Sequence, residues 1–224
     1  MLLAVDTSTA QVGLSLFDGA QVAAEVMWHS HQHHTVELAP ALAELLVRTG
    51  IKMTDIQALG VAIGPGSFTS LRVGLSFVKG LSLARRLPVI GIPTLDVVAA
   101  VQPISKLPLA AVLQAGRARL ALGWYRSSHT EWKSDGAVKV TNVDELADMI
   151  EHPTIVAGEL SADERQRLAR KKVNVQLAAP SACVRRPAVL AEMAWARWQS
   201  GQVDDTASLA PIYLHVGEGI PDGK

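Results

Sequence analysis

The chain has 224 residues, enough for one large domain or two small lobes with cores of their own. Hydrophobic residues make up 49% and charged residues 19%, the balance of a folded globular protein rather than a disordered one. A formal net charge of zero argues against a broad electrostatic grip on nucleic acid by this chain alone, and the single cysteine, Cys183, excludes an intramolecular disulfide framework or a multi-cysteine metal site.

Met1 to Asp6 lacks the charged start and cleavage site of a secretory signal, and its apolar run ends far short of a membrane span. The expected setting is cytoplasmic, with no membrane. Leu2 to Val5 and Gly13 to Phe17 are suited to strands, and Asp18-Gly19 before Gln21-Val22-Ala23 is a hairpin turn signal. Thr35 to Thr49 reads as a helix closed by Gly50. Ala58 to Ile63 has the pattern of a buried strand, followed by a helix from about Ser70 to Arg86 that Pro88 stops. Val89 to Ile92 makes another strand, and Thr94 can cap a short helix through Ala100.

Beyond Pro103, Leu109 to Leu113 and Leu120 to Tyr125 read as strands joined by a turn near Gly116. Trp132 to Val140, with Asp135-Gly136 inside it, predicts a further hairpin. Asn142-Val143-Asp144-Glu145 resembles a capping box for a helix to Ile150. Thr154 to Ala157 and Val173 to Leu177 are strands on either side of a charged helix, Ala162 to Lys172. Pro187 to Ser200 is the last long helix, and the Gly/Pro-rich stretch from Gly217 to Lys224 reads as frayed. The expected organisation is two α/β lobes, 1–102 and 103–224.

Asp6, Thr7, Ser8 and Thr9 sit between the first two strands. A turn there with an Asp and small hydroxyl residues suits the phosphates of a nucleotide, with the carboxylate holding a magnesium shell. Thr7 stands where such turns usually have glycine. No second phosphate turn of Asp-x-Gly-Gly type and no glycine-rich adenosine motif follow, so the turn reads as degenerate. Gly64, Pro65, Gly66, Ser67, Phe68 and Thr69 join a buried strand to a helix. They admit two readings, a packing turn or an anion site at a helix N-terminus, and the missing Lys-Ser/Thr excludes a P-loop.

At about 100° per residue, the helix after this turn carries Leu71, Leu75 and Val78 on one side and Val73, Phe77, Leu81 and Ala84 on the other. The Thr35–Thr49 helix likewise sets Val36, Ala43 and Val47 against Leu38, Leu42, Leu45 and Leu46. A helix apolar nearly all round must be covered twice, and in so small a lobe another chain is the expected second cover. The residues assigned to that partner face are Val36, Ala39, Pro40, Ala43 and Val47 on the first helix and Leu71, Leu75, Val78, Lys79 and Ser82 on the second. His29, His31, His33 and His34 cluster with no carboxylate inside the run and read as loop histidines rather than metal ligands. Arg117, Arg119, Arg165, Arg167, Arg170, Lys171 and Lys172 could touch RNA phosphates, but with Glu159, Asp163 and Glu164 close by they read as a solvated face.

Leu3 to Thr9, His34-Thr35 before Leu38 to Leu42, Gly64 to Gly74, Leu87 to Leu95 and Pro211-Ile212-Tyr213-Leu214 together resemble the bacterial TsaB (YeaZ) family. The resemblance is specific over residues 2–100 and thin beyond. Gln114-Ala115-Gly116-Arg117 stands where the family often has Asp-Ala-Arg, and His215 replaces the arginine after Pro-x-Tyr-Leu. The resemblance implies a two-lobed actin/Hsp70-like (ASKHA) fold, with a mixed five-stranded sheet in the first lobe and a smaller, degenerate second lobe. It implies a non-catalytic subunit that supports the catalytic subunit TsaD in making N6-threonylcarbamoyladenosine at position 37 of tRNAs reading ANN codons. The ATPase TsaE would be a third partner, a second copy would replace TsaD when the chain is alone, and tRNA would be reached only through the complex. It implies no catalytic residue, no metal and no cofactor, save a nucleotide at the junction with partner subunits. The competing readings are a kinase-like or peptidase-like enzyme of the same fold and an autonomous homodimeric binding protein.

Overall fold

The structure, a computed structural model, describes residues 1–31, 33–116, 118–171 and 173–214. Arg117, Lys172, His215, the Gly217–Lys224 tail and the side chain of Lys171 lie outside what it describes, so the expectations for them stay at the level of sequence.

The first sheet has five strands in the order β3-β2-β1-β4-β5. β1 (Leu2–Asp6), β2 (Gln11–Phe17) and β3 (Val22–His29) form an antiparallel meander, and β4 (Ala58–Gly64) and β5 (Val89–Pro93) extend it in parallel from β1. β1 is the middle strand and is buried along its whole length, which its unbroken apolar run requires. Alternation splits it between two cores. Leu3 and Val5 face α1 (His34–Thr49) and α2 (Phe68–Arg85), joining Leu38, Leu42, Leu45, Leu75 and Val78. Leu2 and Ala4 face α6 (Pro187–Gln199), joining Leu190, Ala191 and Ala194.

The second sheet has six strands. β6 (Leu109–Gln114) pairs antiparallel with β7 (Leu120–Ser128) and parallel with β10 (Thr154–Gly158), which pairs with β11 (Val175–Leu177). α4 (Val143–Met149) and α5 (Ala162–Lys171) cover one face, and α3 (Thr94–Ala100) covers the other through Leu95, Val98 and Ala99. The expected capping box of α4 is present, with Asn142 accepting from Asp144 and Glu145 N–H.

Two expectations need correction. β8 (Glu131–Ser134) and β9 (Lys139–Thr141) do not form a hairpin with each other; both pair with β7, at Tyr125–Ser134 and at Leu120–Thr141. Asp135-Gly136 turns the chain, but long β7 offers two stretches of unpaired edge that β8 and β9 fill. The second concerns chain order. Residues 103–178 build the second sheet, but from Pro187 onward the chain returns to the first, so the apolar face of β1, β4 and β5 is closed by a helix from the far end of the sequence.

Candidate functional site

Two features meet where α1 and α2 begin: an exposed apolar groove and, beneath it, the turn between β1 and β2. The turn is filled from within. Asp6 Oδ1 accepts from Ser8 N–H at 2.8 Å, and Asp6 Oδ2 accepts from Arg185 Nε at 2.9 Å. Arg185 is fully buried; its Nη1 donates to Glu159 Oε1, and its Nη2 to Thr9 Oγ1 at 2.8 Å and Gln11 O at 3.0 Å. Burial by itself would lower the Arg185 pKa, but the Asp6 and Glu159 carboxylates outweigh it and hold the guanidinium above its ordinary value. A cation therefore already sits on the carboxylate that a nucleotide site would leave for a metal. Sequence reading missed Arg185 and took Glu159 only for part of a solvated face. The only local signal was a pair of cations, Arg185-Arg186, at a helix N-terminus, where the helix dipole disfavours positive charge.

The rest of the turn supports the helices. Thr7 Oγ1 donates to Ser70 O at 2.7 Å, Ser67 N–H donates to Ser8 O at 2.7 Å, and the Ser8 and Thr94 hydroxyls are bonded at 2.8 Å. His34 Nε2 lies 3.0 Å from Thr9 O. Gly64 has a φ of +106°, and a Cβ on Gly66 would sit 2.2 Å from Ser8 O, so the glycines allow the two turns to touch. Ser67 caps α2, its Oγ accepting from Ser70 N–H. Of the two readings of Gly64 to Thr69, this geometry supports the packing turn.

Above it, α1 exposes the stripe expected of it. Val36 is 65% and Val47 81% exposed, with Ala39, Pro40 and Ala43 exposed between them. On α2 the expectation is inverted. Leu71, Leu75, Val78 and Ser82 are buried against the sheet and offer nothing to a partner, and Lys79 is half-buried with Nζ on Ala207 O at 3.2 Å. The helical wheel shows two apolar sides but not which one meets the sheet; the bond from Thr7 to Ser70 and the contact of Gly74 with Thr7 decide that. The exposed ridge is Phe68, Thr69, Arg72, Ser76, Gly80 and Leu83, with Val73 and Phe77 half-buried along it. Between the helices runs a groove of about 450 Å³ lined by His34, Leu38, Phe68, Arg72, Val73 and Phe77, among others.

The Pro211-Ile212-Tyr213-Leu214 segment lies across the start of α2. Ile212 N–H donates to Ile63 O at 2.7 Å, Arg72 Nε donates to Tyr213 Oη at 2.9 Å, and the Phe68 and Tyr213 rings are 4.8 Å apart. The histidines do not converge. His29 and His31 stack edge-on while His34 turns inward, and among the described residues no group of three His, Cys, Asp or Glu could hold a metal. Arg167 on α5 pairs with Asp163 at 3.1 Å and Asp144 at 3.7 Å. Among the described residues, no helix is long and apolar enough to cross a membrane.

The family model described as "TsaD: tRNA N6-adenosine threonylcarbamoyltransferase" matches residues 25–194. The chain belongs to that family. Within it the resemblance is to proteins named tRNA threonylcarbamoyladenosine biosynthesis protein TsaB. The Escherichia coli protein is 37% identical over 94 residues, 42% of this chain and 40% of that one. The protein of the Schizaphis graminum Buchnera aphidicola is 23% identical over 165 residues, 71% of this chain and 78% of that one. The chain thus spans less than half of the Escherichia coli TsaB in the matched segment. A solved structure described as YeaZ from Pseudomonas aeruginosa superimposes with a TM-score of 0.78 at 23% identity, covering 95% of this chain and 99% of that chain, which establishes the fold. The TsaB relatives are named as biosynthesis proteins, whereas a Pelobacter propionicus relative, 29% identical over 108 residues, carries the transferase name.

Proposed function

We propose that this chain is a non-catalytic subunit of the machinery that makes N6-threonylcarbamoyladenosine at position 37 of tRNAs reading ANN codons, and that it docks on a TsaD-type catalytic subunit through α1 and α2. The observation that carries this is the apolar α1–α2 face, exposed on a chain whose other sheet faces are covered by its own helices. Val36, Ala39, Pro40, Ala43 and Val47 would line one side of the junction, and Phe68, Arg72, Ser76, Gly80 and Leu83 the other. A surface so apolar invites a helical partner, with Ser76 and Gly80 letting its backbone come close.

The Asp6 turn supports the non-catalytic reading. Its carboxylate is bonded to Arg185, and its hydroxyls are bonded within the chain, so no group there is poised as acid, base or metal ligand. Among the described residues no serine, threonine or cysteine side chain is hydrogen-bonded to a histidine ring, which a peptidase-like centre would use. TsaE would join at the junction, any nucleotide would sit between subunits, and a second copy would cover the face when the chain is alone. The setting is cytoplasmic, where tRNA is modified.

The test is reconstitution with the cognate TsaD-type and TsaE-type proteins, ATP, threonylcarbamoyl-adenylate and tRNA. Val47→Glu, Gly80→Arg and Leu83→Glu should each fold normally, because Val47 and Leu83 are exposed and a Cβ on Gly80 meets nothing within 4 Å. Each should weaken binding to the TsaD-type subunit about 30-fold or more and lower modification in step. Modification undiminished without this chain would sink the proposal.

A further inference from the structure

We propose that Arg185 is a positioning residue for the docking face: a built-in cation that ties the β1–β2 turn to the second sheet and so holds the first turns of α1 and α2 in one place. This rests on the reading that α1 and α2 dock a partner.

Arg185 joins the two sheets. Asp6, Thr9 and Gln11 belong to the first sheet's β1–β2 turn, and Glu159 follows β10 of the second sheet. Thr9 Oγ1 adds a second bridge, donating to Glu159 Oε1 at 2.6 Å. A planar guanidinium with several fixed donors is suited to holding such a set at defined angles, as a lysine is not. Without it, the buried Asp6 carboxylate would face the half-buried Glu159 carboxylate with no cation between them.

The same turn carries the helix starts. Thr7 bonds Ser70, Ser8 bonds Ser67, Thr9 O meets His34, and Ala10 O accepts from Ser30 N–H at 2.8 Å just before α1. Every residue from Thr7 to Ala10 therefore touches a segment that opens one of the two docking helices. In a chain that bound nucleotide here, a phosphate and its metal would set this turn and their departure would release it. In this chain the cation is covalent and permanent, so the face is presented in one state and any nucleotide dependence of the assembly must enter through a partner.

The test compares Arg185→Met with the neutral triple variant Asp6→Asn/Glu159→Gln/Arg185→Met, by thermal melts, amide hydrogen exchange and affinity for the TsaD-type subunit. Arg185→Met alone should lower Tm by about 10 °C, because it strands the buried Asp6 carboxylate beside the half-buried Glu159. The triple variant should recover most of that loss, since it leaves no unpaired charge. It should still show about 10-fold faster exchange over residues 34–40 and 68–74 and about 10-fold weaker docking. Unchanged exchange at both helix starts, or an unchanged Tm in Arg185→Met, overturns the inference. Faster exchange with docking at full affinity overturns the link to the face. Val47→Glu and Leu83→Glu leave the Arg185 cluster intact; if they dock normally, the docking reading fails, and exchange alone judges Arg185.

Discussion

Asp96 shows what the interior does to one carboxyl. It accepts a 2.7 Å hydrogen bond from the Tyr125 hydroxyl across the packing of α3 on β7. Burial raises its pKa above the ordinary 3.8, and the bond from Tyr125 offsets this only in part. The sign follows: the folded state holds the Asp96 proton more tightly than the unfolded chain. Its contribution to stability is therefore complete below 3.8 and is lost as pH rises through the raised value. Asp96→Asn keeps an acceptor for Tyr125 and removes the titration. Thermal melts should find the variant about 2 °C more stable at pH 7, with the gap closing as pH falls below the ordinary carboxylate range. A gap constant with pH would mean that Asp96 does not titrate as described. Leu75, 5% exposed, belongs to the same scale: Leu75→Ala should cost about 2–5 kcal/mol by denaturant melt, as a core residue does, whatever happens to docking.

α2 carries two glycines, Gly74 and Gly80, on different sides of the helix with opposite roles. A Cβ on Gly74 would fall 2.2 Å from Thr7 Oγ1, so Gly74→Ala must push α2 off the β1–β2 turn and break the bond from Thr7 to Ser70. Gly80 meets nothing within 4 Å, and there alanine only removes glycine's backbone freedom. Urea melts should show Gly74→Ala destabilised by roughly 2 kcal/mol or more, and Gly80→Ala stabilised by up to about 1 kcal/mol. The helix itself and its apolar surround were legible in the sequence, because helical period is a local property. Its orientation was not legible. Both apolar sides satisfy the same wheel, and only the contact of Gly74 with Thr7, residues far apart in the chain, breaks the tie.

For the whole molecule, the return of α6 matters most. Leu190, Ala191 and Ala194 cover Leu2, Ala4, Ile90 and Ile92, and Arg186 at the head of that helix pairs with Glu25 on β3. A fragment of residues 1–102 would leave that face bare. Circular dichroism should show no cooperative melt for the fragment alone, and a peptide spanning 187–214 should restore one; a cooperative melt without the peptide would contradict this account. Residues 203–214 add to the closure, with Asp204 N–H on Val89 O at 2.9 Å and Gly91 N–H on Asp204 Oδ2 at 2.8 Å.

Local pattern in the sequence determined the strands β1 to β5 and the helices α1 to α3, the glycine turn before α2, the capping box of α4 and the family resemblance. It also showed that α1 and α2 have more apolar surface than one sheet can cover. These depend on period, turn chemistry and capping, all decided within a few residues. Tertiary structure alone decided which side of α2 is buried, that β8 and β9 share β7, that the chain's end closes its beginning, and that Arg185 fills the Asp6 turn. Asp6 and Arg185 are 179 positions apart, and no local preference records that a charge at one end of a chain will neutralise a charge at the other.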